Sequence, residues 1–385
     1  MKSASAVLVF NVCLCVGQEP TDPPPFDCAD ARSFCFERVG RRMLCLSGST
    51  NLLVWEHGAA KPETIPLREA AKAHSSRAGM VACVGDGRHA LISVDEGKLE
   101  VWDYEAKRKS RELAVGASFV GRFRISPDGR IAAAIAQAKA DRSKRLVLWN
   151  VADWTPAGEI KGVGPIGDFA FAPAGDRLVL SVADFDSANP SDTAAIVEWD
   201  FKSSRESWRI SYGPGVPSRI DASPDGRWIA VAGCETVRLQ RNRVKLGGHL
   251  RVIDWQEKKQ VAELFTQNDD YVQTVQFSED GKTVYSGCFG RVPVRQGRSP
   301  GLCAFSVPEW KELWIAPTGF VLTVEIEAVS ARIGALEGRA VFRFLPAGKP
   351  ESARREQRRQ RDDHGDSLLK TVRLALVTAP VSGSA

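Results

Sequence analysis

Histidine is scarce in this sequence, with 5 in 385 residues, and methionine scarcer, with 3. His57, His74, His89 and His249 fall in separate stretches, none beside a candidate triad partner, and read as turn or surface residues. No G-x-S-x-G elbow, H-E-x-x-H pair or G-x-x-x-x-G-K-[ST] loop occurs, so the hydrolase, metalloprotease and phosphate-loop sites built on those motifs are excluded. The nine cysteines (Cys13, Cys15, Cys28, Cys35, Cys45, Cys83, Cys234, Cys288 and Cys303) form no pair of C-x-x-C knuckles, so a structural zinc site is not expected. They read mainly as small buried hydrophobes. Cys288 and Cys303 flank one loop, and a disulfide across that hairpin is the alternative. Helical periodicity is nearly absent. No apolar run beyond the N-terminus is long enough to cross a bilayer, so no integral membrane span is expected.

Charge of one sign is also lacking. Lys and Arg number 52 against 47 Asp and Glu, a net charge of +5, which as a total does not mark a nucleic-acid binder. What the chain has in quantity is glycine (33), proline (21) and tryptophan (10), a balance that favours many strands and turns. Its start is open to two readings. Lys2, an apolar stretch from Ala4 to Val16, Gly17 and the segment QEPTDPPP have the order of a signal peptide. The same stretch also suits an outer β-strand. Export to the cell envelope follows from the first reading, and a cytoplasmic location is compatible with the second.

A repeat organises the chain. An apolar alternating strand, a turn ending in Gly plus a basic residue, and a second apolar strand recur as FRISPDGRIAAAIA (123–136), IDASPDGRWIAVAG (220–233) and VQFSEDGKTVYSG (275–287). Weaker copies are FAFAPAGDRLVLSV (169–182), VACVGDGRHALISV (81–94), FCFERVGRRMLCLS (34–47) and the eroded VEIEAVSARIGALE (324–337). The anchoring residues Arg41, Arg88, Arg130, Arg177, Arg227, Lys282 and Arg332 stand 42 to 55 residues apart. Each copy is followed by a third strand: LLVWE (52–56), LEVWD (99–103), LVLWN (146–150), IVEWD (196–200), LRVID (250–254), LCAFS (302–306) and AVFRF (340–344). A fourth short strand then precedes the next anchor, as in SRELAV (110–115). Four short strands per unit, with turn residues between, predict an all-β, seven-bladed β-propeller of four-stranded antiparallel blades. Such a blade cannot cover both faces of its own sheet, so neighbours must stack and the ring must close.

The pairs Trp102–Asp103, Trp149–Asn150 and Trp199–Asp200, the weaker Trp55–Glu56 and Ile253–Asp254, and the Ser-Pro-Asp-Gly turns together resemble the WD-repeat β-propeller family, in its bacterial, degenerate form. The resemblance covers about residues 30–345. It implies that the tryptophans pack between blades and that Asp128–Gly129 and Asp225–Gly226 sit in the tight turn joining first and second strands. Pro127 and Pro224 pre-set the backbone for that turn, and Gly129 and Gly226 relieve its strain. The family's Gly-His dipeptide is missing from most units, and Gly248–His249 stands in the wrong place for it. The family's buried His–Asp network is therefore expected to be absent. Ser-Pro-Asp-Gly turns also occur in YVTN-type and lactonase-like rings.

The expected organisation is a leader and Pro-rich linker, or an outer closing strand, over 1–27; the propeller over 28–348; a charged linker over 349–366; and a tail over 367–385. The last outer strand has two candidates, SAVLVFNV (5–12) and TVRLALVT (371–378), and pairing the chain ends in one blade would remove exposed edges. Asp184, Asp186 and Asp192 gather in one loop whose spacing matches no EF-hand, and read as a solvated loop.

The connections between second and third strands are short in units one, two and seven and long in units three to six, about 137–145, 183–194, 233–249 and 287–301. In a ring they emerge on one face, and gathered insertions often mark a binding face. They are basic: Lys139, Arg142, Lys144 and Arg145 in unit three; Arg238, Arg241, Arg243, Lys245 and Arg251 in unit five; Arg291, Arg295 and Arg298 in unit six. Aromatics do not interleave with these arginines, so nucleic acid is not expected. The function expected is a non-catalytic scaffold that binds a protein or acidic peptide on this face, without cofactor or metal. The alternative is an enzyme or metal-bearing propeller with ligands at the central channel.

Overall fold

The computed structural model describes residues 31–346 except 38–41, 48–49, 57–58, 60, 68–78, 95–96, 185–189, 214, 240–241, 265–269, 291–301, 317–320, 328–331 and 338–340. Both candidate closing strands therefore lie outside the described residues.

Among the described residues, twenty-seven strands form seven antiparallel sheets, six of four strands and one of three. The first sheet is β1 (Ala31–Phe36), β2 (Arg42–Ser47), β3 (Asn51–Glu56) and β4 (Glu63–Pro66). The second is β5 (Val81–Cys83), β6 (His89–Ser93), β7 (Lys98–Asp103) and β8 (Arg108–Ala114). The third is β9 (Phe119–Ile125), β10 (Ile131–Gln137), β11 (Lys144–Asn150) and β12 (Pro156–Ile160). The fourth is β13 (Ile166–Phe171), β14 (Arg177–Val182), β15 (Ala195–Asp200) and β16 (Arg205–Ser211). The fifth is β17 (Val216–Ala222), β18 (Trp228–Leu239), β19 (Asn242–Asp254) and β20 (Lys259–Glu263). The sixth is β21 (Asp270–Phe277), β22 (Thr283–Gly290), β23 (Leu302–Ser306) and β24 (Glu312–Ala316). The last is β25 (Val321–Glu327), β26 (Arg332–Glu337) and β27 (Val341–Pro346).

Within each sheet the strands pair in chain order, and the first strands β1, β5, β9, β13, β17, β21 and β25 line the axis. β25 lies against both β21 and β1, which brings the two ends of the ring together. Among the described residues the only helical element is a 3-10 turn, Pro190–Thr193, and no helix is long and apolar enough to cross a membrane.

Burial explains the strand compositions. The second strand β10, IAAAIAQ, is covered on both faces and reads as a continuous apolar run. The outermost strand β8, RKSRELA, is exposed at every position but Leu113. The cores lie between sheets. One holds Leu91, Leu99 and Val101 of the second sheet with Phe123, Ala132 and Trp149 of the third. Trp55, Trp102 and Trp149 are buried and Trp199 is half-buried. A buried tryptophan removes roughly 150–250 Å² from water, which at about 25 cal/mol/Å² contributes about 4–6 kcal/mol.

The two sequence signals meet at one end of each sheet. In the third sheet Gly129 N–H donates to Ser126 C=O at 2.8 Å, with Pro127 and Asp128 between them and Gly129 at φ 72°. That is a type I turn with a left-handed glycine after it. The Ser126 hydroxyl donates to Asp128 Oδ1 (2.5 Å) and accepts from Ile131 N–H (2.9 Å). Ser223, Asp225, Gly226 and Trp228 repeat the set in the fifth sheet. The residue after such a pair then donates its N–H to the other signal: Tyr104, after Trp102–Asp103, to Arg88 C=O; Val151, after Trp149–Asn150, to Arg130 C=O; Trp255, after Ile253–Asp254, to Arg227 C=O; and Phe201, after Trp199–Asp200, to Asp176 C=O, one residue before its anchor. Asp103 also binds the Arg88 guanidinium, Nε at 2.8 Å, and caps its own turn by accepting Ala106 N–H. Asp200 caps its turn through Ser203 N–H (2.8 Å). The basic anchor and the Trp-Asp pair are thus two halves of one clasp.

Two expectations are corrected. Residues 233–249 are not a long loop: β18 and β19 continue as a hairpin whose register runs to Leu239 opposite Asn242, because Val237 with Leu239 and Val244 with Leu246 keep the period-two pattern of a strand. His249 is not a turn or surface residue but is buried on β19 opposite Gly233. Cys303 is buried, in keeping with the reading of the cysteines as small buried hydrophobes, and stands in register with Ser286.

Candidate functional site

Each inner strand has a free edge towards the axis, and its unpaired amides need acceptors. Side chains of the preceding sheet supply them. Val81 N–H donates to Ser33 Oγ (3.2 Å), Ile220 N–H to Asp168 Oδ2 (3.1 Å) and Phe277 N–H to Asp221 Oδ2 (2.8 Å). Two of these acceptors follow a recurring irregularity. A register shift falls between Ala31 and Ser33, Ile166 and Asp168, Pro217 and Arg219, Val272 and Thr274, and Val321 and Thr323, so Ser33 and Asp168 each stand directly after one, whereas the pairing of β5 with β6 has none. A bulge turns the strand and re-aims the side chain after it.

Around the axis these strands enclose a cavity of about 1340 Å³. Its wall carries Arg122 and Arg124 of β9 and Arg219 and Asp221 of β17, with Asp168 of β13 wholly buried behind them. Arg124 spans two sheets: Nη2 lies 3.3 Å from Asp168 Oδ2 and donates to Ile220 C=O (3.0 Å), while Nη1 lies 3.4 Å from Asp221 Oδ1. Arg122 Nε stands 3.7 Å from Asp168 Oδ1. Burial acts to raise the Asp168 carboxyl pKa, but Arg122, Arg124 and Arg219 together hold it below the ordinary carboxylate value. At Asp221 burial outweighs Arg124, and the pKa is raised. An Asp–Arg network thus occupies the axis. Its parts were legible as charged residues in predicted inner strands, yet nothing in their spacing showed that three sheets converge on Asp168.

A second cluster lies between the fourth and fifth sheets. The His249 ring stands 5.5 Å from that of Tyr212, and the Arg251 guanidinium lies 4.5 Å from the centre of the Tyr212 ring. Burial, with Arg251 adding to it, pushes His249 down to about 3, so the imidazole is neutral. Its Nε2 has no hydrogen-bond partner. Gly233 makes room for it: a Cβ there would sit 2.5 Å from Tyr212 Oη and 2.8 Å from His249 Nε2.

The basic residues expected on the opposite end from the Ser-Pro-Asp-Gly turns divide into four sets. Arg145 and Arg251 are committed inside the protein, Arg145 to Val115 C=O (2.9 Å) and Glu159 (3.1 Å), Arg251 to Tyr212 C=O. Arg142 is exposed at φ 58°, and Lys144 begins β11 at the rim of the cavity. Arg238, Arg243 and Lys245 lie on the β18–β19 hairpin. Arg241, Arg291, Arg295 and Arg298 lie outside the described residues, as do His57, His74 and Asp186. Asp192 is exposed, and Asp184 N–H donates to Thr193 Oγ1 (2.8 Å). Among the described residues no group of three or more His, Cys, Asp or Glu is placed to hold a metal ion.

The hairpin is the element that departs most from its neighbours. Beyond Cys234 opposite Gly248, β17 and β20 no longer accompany it, and five further residue pairs extend it by about 17 Å at roughly 3.3 Å per residue. In register, Thr236 stands opposite Lys245, Val237 opposite Val244 and Arg238 opposite Arg243.

The fold has a solved counterpart in the Kuenenia stuttgartiensis hydrazine synthase, at TM-score 0.63 and 14% identity, over 83% of this chain and 96% of that one. The chain is a β-propeller. At that identity the likeness speaks to the fold alone, and propellers host both enzymes and binding proteins. No protein-family model matches the chain, and no curated protein matches it in sequence.

Proposed function

We propose that this propeller is a non-catalytic, WD-repeat-like scaffold that holds an acidic protein or peptide, with the β18–β19 hairpin as its principal contact. The observation that carries the reading is the register of that hairpin. Like charges placed directly opposite destabilise a strand pair, and Arg238 faces Arg243 with Lys245 two residues on. A carboxylate-rich partner neutralises that arrangement through charge-assisted hydrogen bonds. Exposed Arg142 at the same end of the ring adds to the attraction. The sequence offers no acid between Glu235 and Asp254 to do so internally.

The test is fluorescence anisotropy with a labelled poly-glutamate peptide, on the wild type and on the variant Arg238→Glu/Arg243→Glu/Lys245→Glu. Wild-type binding should weaken as salt rises and fall at least tenfold in the variant. Equal affinity in the two proteins removes the hairpin from the reading. Affinity capture with both proteins as bait then identifies the natural partner among those lost from the variant.

A further inference from the structure

The axial cavity presents a different chemistry, independent of the hairpin. Three guanidinium groups, Arg122, Arg124 and Arg219, meet two carboxylates there, and three of the four carboxylate oxygens are engaged in hydrogen bonds, while Asp168 Oδ1 has only the longer approach of Arg122. Asp168 Oδ2 accepts from Ile220 N–H and Arg124, Asp168 Oδ1 faces Arg122, Asp221 Oδ2 accepts from Phe277 N–H, and Asp221 Oδ1 faces Arg124. Arg219 is left over. It forms no ion pair among the described residues, its one hydrogen bond runs from Nη1 to Ser218 C=O (2.7 Å), and its buried Nε has no acceptor. A guanidinium keeps its charge and carries five N–H donors, so most of those on Arg219 are unspent at a cavity wall.

The surroundings sharpen the selectivity. The other acids on the wall, Glu37, Asp86, Asp128 and Glu279, stand at the Ser-Pro-Asp-Gly end of the strands, and Lys144 stands at the opposite rim. β25, which carries Glu325 and Glu327, is two sheets away from β17. The middle of the wall over the third to fifth sheets therefore carries one more positive than negative charge, in a partly enclosed space where the pairing is screened less than at the surface. A planar fork with free donors matches the two oxygens of a carboxylate or phosphate.

We propose that Arg219, supported by Arg122 and Arg124, is the recognition element of an axial site for a small molecule bearing an oxyanion. The cavity of about 1340 Å³ is ample for such a ligand. Carboxylate and phosphate share the chemistry that the guanidinium reads, and the choice of probe separates them.

Isothermal titration at low ionic strength, with inorganic phosphate and citrate as probes, tests the site on the full chain. One-to-one saturable binding of either probe is expected, and the tighter of the two names the ligand class. Arg219→Gln should weaken it at least tenfold. Arg219→Lys, which keeps the charge without the fork, should fall between and serves as the test should the glutamine variant fail to fold. The hairpin triple variant should bind both probes as the wild type does. Absence of one-to-one binding by both probes overturns the proposal. So does unchanged affinity in the Arg219 variants, or loss of binding in the hairpin variant instead.

Discussion

The neutral state of His249 makes acid stability a direct measure of the inter-sheet cluster. The ring is 4% exposed and its pKa is pushed from about 6.5 down to about 3 by burial and Arg251. A base whose folded pKa is depressed leaves the unfolded chain binding more protons between those two values, so stability falls with pH from about 6.5 downwards and levels off near 3. At 1.36 kcal/mol per pKa unit, the loss from this one residue is about 2 kcal/mol at pH 5 and approaches about 5 kcal/mol below pH 3. Carboxylates titrate over the same range, so the measurement is a difference. Urea unfolding of wild type and His249→Gln at pH 7 and pH 5 gives two pH dependences that share every group but this one. The variant starts less stable, because glutamine fits the space beside Tyr212 and Gly233 poorly, but it should lose about 2 kcal/mol less between the two pH values. Equal losses would refute the reasoning, since they would mean that His249 titrates alike in folded and unfolded chains.

Two further substitutions probe the axis and its neighbour. Asp168→Ala removes the carboxylate that Arg122, Arg124 and the Ile220 amide share, and leaving buried charge uncompensated costs about 3–5 kcal/mol; chemical denaturation should show a loss of that size, and one under about 1 kcal/mol would place the network in solvent. Gly233→Ala forces a methyl to within 2.8 Å of the Val216 carbonyl and 2.5 Å of Tyr212 Oη, so about 1–3 kcal/mol of stability should be lost, with the near-ultraviolet circular dichroism of the tyrosine altered.

The blades were legible because their signals are local and repeated. Ser-Pro-Asp-Gly fixes a turn within four residues, and the Trp-Asp pair marks a third strand, so seven four-stranded sheets are expected from spacing; six are found, and three strands of the seventh lie among the described residues. The hairpin was misread for a physical reason. Its charged and glycine-bearing sequence, ETVRLQRNRVKLGGH, has the composition of a loop, and only two valines and two leucines keep the strand alternation. His249 was misread because what buries it is remote: Tyr212 lies on the sheet before, and Gly233 acts by having no side chain. The axial network was hidden in the same way. Asp168 is one acid among 47 until β9 and β17 bring arginines from either side.

The amide fastenings between inner strands have a direction. Ser33, Asp168 and Asp221 each hold an amide that belongs to the following sheet. An emerging chain therefore finds, on the unit already made, the acceptor that its next unit requires, and none of these three joints waits for a segment not yet synthesised. The ring can grow by accretion from its first sheet, each unit seated by its predecessor. The meeting of β25 with β1 is different in kind: it must bridge the whole length of the ring, and makes closure the late, non-local step.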